Sequence, residues 1–188
     1  VDDILSGNVS INDIRDVEIE DLLERPPVKV EMDRISEYLK RKTVMVTGGA
    51  GSIGSELCRQ IARFNPGRLV IVERSENSLY GFERELRETY PGLALHASIS
   101  SINDGPGMLS IMRDLGVEVV FHAAAYKHVP LMESAPVESA YNNVLGTYNV
   151  SGAAIRARGK RFVMISTDKA VNPANVMGVT KRVAEMVI

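Results

Sequence analysis

The chain contains a single cysteine among its 188 residues, Cys58, so an intrachain disulfide is excluded. Cys58 falls beside the apolar face of a predicted helix, where we expect a packed thiol instead of a reactive one. A basic excess is also missing, since the formal net charge is −2, and this argues against nucleic-acid binding as a main function. No stretch approaches the roughly 20 apolar residues that a membrane-spanning helix needs, and no signal peptide is visible.

The chain starts at Val1 instead of a methionine and stops at Ile188, inside a helical pattern. We therefore expect it to be a fragment of a longer protein. Its apolar content of 45% and charged content of 24% are those of an ordinary globular protein. The length is sufficient for one domain with a sizeable core.

The strongest pattern is a glycine-rich segment, TGGAGSIG, which spans residues 47–54 directly after an apolar run at 44–46. Gly48 would allow a sharp turn, Gly51 would let the backbone approach a phosphate, and Gly54 would let the next helix pack closely on the strand. The free N–H groups and the dipole of that helix N-terminus favour a phosphate there. The pattern predicts a dinucleotide-binding loop with cofactor contacts at Gly48, Gly51, Ser52, Ile53 and Gly54.

An acidic residue, Glu73, closes the next apolar run at 69–72. A carboxylate at this strand tip accepts hydrogen bonds from the adenine ribose hydroxyls and repels a 2′-phosphate, which favours NAD over NADP. Arg74 and Ser75 follow directly and favour NADP instead, because they would bind its 2′-phosphate. Ser75 also suits the N-cap of the next helix. We expect NAD as the cofactor and leave NADP as the alternative.

From residue 43 onward, short apolar strands alternate with amphipathic helices. The alternation predicts a parallel sheet covered on both faces, and right-handed crossovers make it a doubly wound α/β sheet of the Rossmann type. The predicted strands are 43–47, 68–73, 93–97, 117–122 and 161–166, and the predicted helices are 53–64, 76–89, 106–115, 137–157 and 175–188.

Residues 1–42 are polar and acidic, with candidate short helices at 17–23 and 32–39. We interpret them as an extension that packs on the main domain, residues 43–188; the alternative is a flexible tail.

Two of the helical patterns carry apolar stripes at the spacing that places residues on one helix face. One stripe is Val137, Ala140, Tyr141, Val144 and Tyr148, and the other is Val176, Val179, Val183 and Met186. We assign both stripes to the core.

Small and polar residues follow the fourth strand. His122 is expected to be buried in that strand. Lys127 and His128 leave the sheet at its carboxyl edge, where ligands bind in open α/β sheets, and are candidates to face a substrate. Small side chains let the backbone pass beneath a cofactor without clashes, and here they are Ala123, Ala124 and Ala125.

The fifth strand ends in Thr167, Asp168 and Lys169. An acid and a base side by side at this edge can exchange protons with a substrate; the alternative is an exposed turn with a weak ion pair. Further along, Met177 and Lys181 are spaced i and i+4, so they share one face of the last helix.

These segments together resemble a known family. The order TGGAGSIG, HAAAYKHVPLME, NNVLGT, STDKAVNP and NVMGVTKR is similar to that of the polysaccharide-biosynthesis nucleotide-sugar dehydratases. Those proteins are membrane-associated relatives of UDP-N-acetylglucosamine 4,6-dehydratase in the extended short-chain dehydrogenase/reductase superfamily. The resemblance runs from about residue 15 to the end. It implies a cofactor domain followed by a smaller C-terminal substrate domain, and N-terminal membrane helices in larger members; this sequence includes neither.

The resemblance also implies roles for the residues after the fifth strand. Thr167 would bind the sugar C4 oxygen, Asp168 would protonate the departing C6 hydroxyl and Lys169 would remove the C5 proton. Lys181 would hold the nicotinamide ribose. The superfamily pattern is Tyr-x-x-x-Lys, with the tyrosine as base on the C4 hydroxyl, whereas this chain has Met177 at that position. The resemblance assigns the methionine to the large membrane-type dehydratases, and the C4 base stays unassigned.

Three further cofactor-binding residues come from the resemblance. Ser98 and Ile99 stand where relatives place an Asp-Ile pair near the adenine amine, and Asn143 belongs to the NNVLGT segment.

The function implied for the parent protein is NAD-dependent 4,6-dehydration of a UDP-N-acetylhexosamine for surface polysaccharide or glycan synthesis. One alternative is a nucleotide-sugar 4-epimerase, and another, for the isolated chain, is a catalytically silent dinucleotide-binding module. We further expect a UDP-sugar as binding partner, a homo-oligomer, and neither a metal nor nucleic acid. We expect the chain to be a cytoplasmic domain of a parent protein that lies at the inner face of the cell membrane.

Overall fold

The computed structural model describes residues 32–188. Its strands are β1 (Thr43–Thr47), β2 (Arg68–Glu73), β3 (Leu95–Ile99), β4 (Val119–His122) and β5 (Arg161–Met164). All neighbours pair in parallel, in the order β3-β2-β1-β4-β5, so β1 lies at the centre between β2 and β4. The predicted doubly wound parallel sheet is confirmed.

Helices connect the strands. They are α1 (Met32–Leu39), α2 (Ser52–Arg63), α3 (Glu76–Thr89), α4 (Gly105–Asp114), α5 (Val129–Ser134), α6 (Pro136–Ala140), α7 (Gly146–Arg156) and α8 (Val176–Val187). A π-helical turn, Tyr141–Leu145, joins α6 to α7, and a 3₁₀ turn, Asp168–Ala170, follows β5. The predicted helix 137–157 is therefore α6 and α7 with a π turn between them.

The core consists of two layers because alternate residues of the central strands face opposite sides of the sheet. Val44 and Val46 pack with α2 and α3, whose buried residues include Cys58 and Leu86. Met45 points to the other side, into the layer formed with α4 and α7. The expected burial of Cys58 is confirmed, and burial raises the pKa of its thiol.

The prediction that the first apolar stripe lies in the core is wrong. Val137 is 81% exposed, Tyr141 48% and Tyr148 61%. Ala140 is also exposed and Val144 is half-buried. The spacing identified one face of the helix correctly as apolar, but it carries no information about which face meets the sheet.

The opposite, mostly polar face of this helix is the buried one. It includes Asn142, Asn143, Thr147 and Val150. Three of these four side chains are polar because this face meets the loop that leaves β4, whose backbone groups need hydrogen-bond partners.

The second stripe is likewise exposed. Val179 is 46% exposed, Val183 39% and Met186 75%, and Val176 is half-buried. The buried face of α8 also has helical spacing, but two of its members are polar: Met177, Thr180, Lys181 and Ala184.

The predicted helix at 32–39 is confirmed as α1. Leu39 belongs to the core, and the Arg161 guanidinium lies 3.9 Å from the centroid of the Tyr38 ring. The candidate helix at 17–23 and the rest of residues 1–31 lie outside the described residues, so the division of the chain at residue 42 stays a prediction. Between residues 32 and 188, every helix is too short or too polar to cross a membrane.

Candidate functional site

The glycine-rich segment forms a tight turn directly after β1. Gly48 has a φ of +65°, and a Cβ at this position would lie 2.7 Å from the Ala124 Cα. Gly54 sits in the first turn of α2, and its Cβ would lie 2.0 Å from the Gly48 carbonyl oxygen. Only residues without a Cβ permit this close approach of the loop, the helix and the strand after β4.

A cleft opens beside this turn at the carboxyl ends of β2, β1 and β4. Several predicted cofactor residues line it: Gly48, Gly51, Glu73, Arg74, Ala123, Ala124 and Ala125. The lining also includes five residues to which the sequence had assigned no role: Val72, Ser100, Ile102, Tyr126 and Asn142. Open α/β sheets bind ligands at the carboxyl ends of the strands, where the connections from two neighbouring strands lead to opposite sides of the sheet.

Hydrogen bonds from the backbone orient the Glu73 carboxylate at the tip of β2. Its Oε1 accepts hydrogen bonds from the backbone N–H groups of Arg74 and Ser75, at 2.9 and 3.1 Å. Ser75 caps α3, because its hydroxyl accepts a hydrogen bond from the Ser78 N–H. The second carboxyl oxygen of Glu73 makes no hydrogen bond within residues 32–188, so it remains for a ligand hydroxyl.

Asn143 supports the loop after β4. Its Oδ1 accepts the Tyr126 N–H at 2.8 Å, and its Nδ2 donates to the Tyr126 carbonyl and to the Thr180 hydroxyl, both at 3.1 Å. The side chain is 1% exposed and does not line the cleft. Among the described residues Asn143 thus acts through the backbone of Tyr126, which does line the cleft.

A second cleft continues the first toward β5. The two share Ala123, Ala125 and Tyr126, so they form one groove along the carboxyl edge of the sheet. The second is lined by Ile53 and by four of the predicted substrate and catalytic residues, Lys127, Thr167, Lys169 and Lys181. Met177, Ile165 and Ser166 also lie in this lining.

Thr167, Asp168 and Lys169 form a connected group after β5. The Thr167 hydroxyl donates to Asp168 Oδ1 at 2.9 Å, and the Lys169 Nζ lies 3.6 Å from the same oxygen. The hydrogen bond from Thr167, followed by the charge of Lys169, lowers the pKa of Asp168. Asp168 is therefore a carboxylate at neutral pH, and it must first gain a proton before it can act as an acid.

Lys181 is buried on the sheet-facing side of α8, directly beside Met177. Its Nζ donates to the Ile165 carbonyl at 2.7 Å, and only 5% of the residue is exposed. Burial lowers the pKa of Lys181. The Met177 side chain has no proton-accepting group, so the position beside Lys181 offers no base.

Behind the groove, His122 links β1 to α7. Its Nδ1 lies 2.7 Å from the Thr47 hydroxyl and its Nε2 lies 3.0 Å from the Thr147 hydroxyl. Because Thr147 donates its own proton to the Asn143 carbonyl, the imidazole must donate from Nε2 and accept at Nδ1. Burial, with a smaller effect of the Lys181 charge, lowers the pKa of His122 to about 3. The expected burial of His122 is confirmed.

The structure does not bring every predicted site residue to the groove. Ser98 and Ile99 lie within β3, since that strand extends two residues further than predicted, and Ser100 lines the groove instead. His128, Ser52 and Asp168 also lie outside the lining. Within residues 32–188, no three His, Cys, Asp or Glu side chains come together as metal ligands would.

A parallel sheet with a glycine turn after β1, an acidic residue at the tip of β2 and a groove along the carboxyl edge defines a dinucleotide-binding domain of the Rossmann type. The model of the family described as "Polysaccharide biosynthesis protein" matches residues 44–188, and the chain belongs to this family. The family lies in the superfamily of short-chain dehydrogenase/reductase epimerases and dehydratases.

Curated relatives extend over the whole chain. A capsular polysaccharide biosynthesis protein, CapD, of Staphylococcus aureus is 48% identical over 100% of this chain and 32% of its own length. A UDP-N-acetylglucosamine 4,6-dehydratase (inverting) of Campylobacter jejuni is 33% identical over 75% of this chain and 41% of its own length. The chain thus spans less than half the length of these two relatives.

A solved structure supports the same assignment of the fold. The UDP-glucose-4-epimerase of Stenotrophomonas maltophila, determined with bound NAD and formylated UDP-arabinopyranose, matches with a TM-score of 0.71 and 26% identity. The match covers 78% of this chain and 47% of the epimerase. The relatives of this chain are therefore nucleotide-sugar dehydratases and epimerases, several of them in polysaccharide biosynthesis.

Proposed function

We propose that the chain is the NAD-binding part of a UDP-N-acetylhexosamine 4,6-dehydratase. The observation that carries this proposal is the group Thr167, Asp168 and Lys169, whose first and last members line the same groove as the glycine turn. Oxidation at C4 alone needs one base, which takes the proton of the C4 hydroxyl, and no acid. Elimination of water across C5 and C6 needs both, and this group supplies them.

The groove fits a dinucleotide in its shape and in the hydrogen-bond acceptor at the tip of β2. An added Cβ at Gly51 meets only the Gly48 oxygen, so a phosphate has room to approach the backbone there. Among residues 32–188, one Glu73 oxygen makes no hydrogen bond and is available to accept from ribose hydroxyls. Bound NAD would accept a hydride from the sugar C4 and return it to C6. The NAD found in the related epimerase supports NAD as the cofactor, with NADP as the alternative.

The first proton of the reaction is taken from the sugar C4 hydroxyl. Met177 cannot accept it, whereas the Thr167 hydroxyl already donates to the Asp168 carboxylate. Thr167 would therefore accept the C4 proton while it passes its own proton to Asp168. This transfer protonates a carboxylate whose lowered pKa otherwise keeps it ionised.

The second stage is elimination. The 4-keto group formed on the sugar makes the C5 proton acidic, and the Lys169 amine, after releasing its own proton to solvent, would remove it. Asp168 would give its proton to the C6 hydroxyl, which then leaves as water. The Lys169 ammonium would return a proton to C5 as the hydride adds to C6, which completes the 4-keto-6-deoxy sugar. Lys181, buried and cationic beside the groove, would bind the nicotinamide ribose and stabilise negative charge on the C4 oxygen.

The product identifies the reaction. The full-length parent should convert UDP-N-acetylglucosamine to a 4-keto-6-deoxy sugar, which mass spectrometry detects as the loss of one water molecule. NMR would show a new C6 methyl group. A product of unchanged mass with an inverted C4 would instead establish a 4-epimerase.

The epimerase remains the second candidate because a solved relative of this chain carries that activity. It would use the same cofactor groove, Lys181 and the Thr167–Asp168 pair that accepts the C4 proton, but it would not need Lys169 as a base at C5. For the isolated chain, we propose binding without turnover, because its match covers only 32% and 41% of the lengths of CapD and the Campylobacter jejuni dehydratase. The isolated chain should then bind NAD by calorimetry and leave UDP-N-acetylglucosamine unchanged.

Self-association also remains a proposal. The exposed apolar side chains of α6, α7 and α8, among them Val137, Tyr148 and Met186, are what a protein contact would cover. Light scattering coupled to size exclusion would give the oligomeric state. That a longer parent lies at the inner face of the cell membrane is likewise a proposal, which fractionation of cells that express the full-length protein would test.

A further inference from the structure

We propose that Tyr126 and Glu138 set the preference for NAD over NADP, because they hold the Arg74 guanidinium away from the ribose 2′ position. The inference rests on the proposed function, since it requires that the groove bind a dinucleotide with its adenine ribose at the tip of β2.

The three side chains form a directed chain across the groove. The Arg74 Cζ lies 4.8 Å from the centroid of the Tyr126 ring, and its Nη1 donates to the Tyr126 hydroxyl. The Tyr126 hydroxyl in turn donates to Glu138 Oε1 at 3.3 Å. Cation, phenol and carboxylate therefore follow one another, with each donor facing an acceptor.

The position of these three linked side chains gives them a role in cofactor choice. Arg74 leaves the tip of β2 next to Glu73, and both residues line the same cleft. An arginine at this place can accommodate a 2′-phosphate, whereas the acidic residue before it serves the ribose hydroxyls of NAD. Arg74 and Glu73 thus favour opposite cofactors from adjacent positions.

The contacts of Glu73 and Arg74 determine which of the two side chains is available at the ribose 2′ position. Glu73 is oriented by two backbone N–H groups, and its other carboxyl oxygen has no hydrogen-bond partner among residues 32–188. Arg74 extends instead across the end of β1 to a residue that follows β4, 52 positions later in the sequence. To reach a 2′-phosphate, Arg74 would have to give up both the stacking on Tyr126 and its hydrogen bond, so NADP binding is penalised.

Two substitutions of Tyr126 separate these contacts. Tyr126→Phe removes the hydroxyl and keeps the ring, and Tyr126→Leu removes both. Because the Asn143 side chain holds Tyr126 through backbone atoms, neither substitution removes the support of the loop. Glu138→Gln removes the charge at the far end of the chain and keeps a hydrogen-bond acceptor.

The measurement is the ratio of the NADP+ and NAD+ dissociation constants, obtained by calorimetry for the 188-residue chain and each variant. We expect the wild-type chain to prefer NAD+. The preference should fall by about threefold in Tyr126→Phe and about tenfold in Tyr126→Leu, the range expected for a charge-assisted hydrogen bond and an exposed cation–π contact. Glu138→Gln should give the smallest change.

A double-mutant cycle attributes the effect to Arg74. In an Arg74→Ala background, Tyr126→Leu should no longer change the ratio. Tyr80→Phe, an exposed tyrosine of α3 that does not line this cleft, is the matched control and should leave the ratio at its wild-type value.

The outcomes separate the inference from the proposed function. If the wild-type chain binds neither dinucleotide, the proposed function fails and the inference fails with it. If the wild-type chain binds NAD+ and the Tyr126 variants keep its ratio, or if Tyr126→Leu changes the ratio equally with and without Arg74, the inference alone is overturned.

Discussion

The ends of β1 and β5 both open into the groove, but they are built from different parts of the chain. After β1 the backbone forms the site, through a left-handed Gly48 and a helix that begins against it. After β5 the side chains form the site, through the Thr167–Asp168 hydrogen bond and the buried ammonium of Lys181. A backbone site depends on a few residues that lack a Cβ, whereas a side-chain site can be changed one functional group at a time.

The largest effect should come from substitutions after β5, where side chains form the site, and should appear in the rate of dehydration. In the full-length parent, Asp168→Asn and Lys169→Ala should each lower the rate of 4-keto-6-deoxy product formation by roughly 10²–10⁴, the usual value of general acid–base catalysis. Lys169→Ala should also lose solvent-deuterium exchange at C5, because it lacks the base. Asp114→Asn, a change at an exposed aspartate of α4, is the control and should form product at the wild-type rate. Near-normal dehydration in both variants would remove Asp168 and Lys169 from the mechanism.

After β1, where the backbone forms the site, one added side chain should weaken NAD binding. Gly51→Val should weaken NAD binding by about 100-fold, equivalent to ~3 kcal/mol, because a branched side chain would occupy the space of the phosphate. A Cβ at Gly51 meets only the Gly48 oxygen, at 3.2 Å, so the fold should persist, as circular dichroism can verify. Gly92→Val, at a position where a Cβ meets nothing within 4 Å, is the control for calorimetry. Equal affinities of Gly51→Val and wild type would place the phosphate elsewhere.

The support behind the groove should show a smaller effect, on stability. Asn143→Ala removes a buried side chain with four hydrogen bonds, to Tyr126, Asn142 and Thr180, and should lower the free energy of unfolding by about 2–4 kcal/mol. Urea denaturation would measure this loss. The exposed Asn77 supplies the comparison, and Asn77→Ala should change stability little. If Asn143→Ala were as stable as wild type, the loop after β4 would need another support.

The smallest effect should be a dependence of stability on pH. His122 has a pKa of about 3 when folded, below the ordinary value of 6.5, so below pH 6.5 the unfolded chain binds a proton that the folded chain does not. The contribution of His122 is therefore complete above pH 6.5 and is lost progressively as the pH falls toward 3. Between pH 6.5 and 5.5 the loss should be about 1 kcal/mol, and below pH 5.5 it should approach about 1.4 kcal/mol per pH unit.

Urea denaturation at several pH values would detect this slope. His122→Gln should flatten it, whereas His96→Gln, at an exposed histidine of β3, should leave it unchanged. A slope that survives in His122→Gln would assign the dependence to other groups.

The sequence was most informative where the backbone determines the structure. The glycine turn, the central strands and the acidic tip at Glu73 each follow from local patterns, and the structure has them where the patterns predicted. The sequence was least informative for the helices of the second half. Their apolar stripes predicted burial for Val137 and Val183, which are exposed, because periodicity cannot distinguish a face that meets the sheet from one that meets something else.

Part of the site was missed for a related reason. Asn142 and Tyr126 line the groove, and the spacing of residues in sequence gave no sign of it. Their positions depend on the hydrogen bonds of Asn143 and on a π turn, neither of which has a clear pattern in one sequence. The one available hint was a pair of adjacent asparagines inside an otherwise helical pattern.

The π turn at Tyr141–Leu145 holds one residue more than a turn of regular α-helix, and the adjacent Asn142 and Asn143 are both buried there. Deletion of one residue within this turn would restore regular α-helix and leave α7 in its present orientation. Val150 and Ala153 would stay in the core, whereas the two asparagines would lose the widened turn that carries them. An alignment gap of one residue at this place would therefore mark a relative with the same core and a different groove.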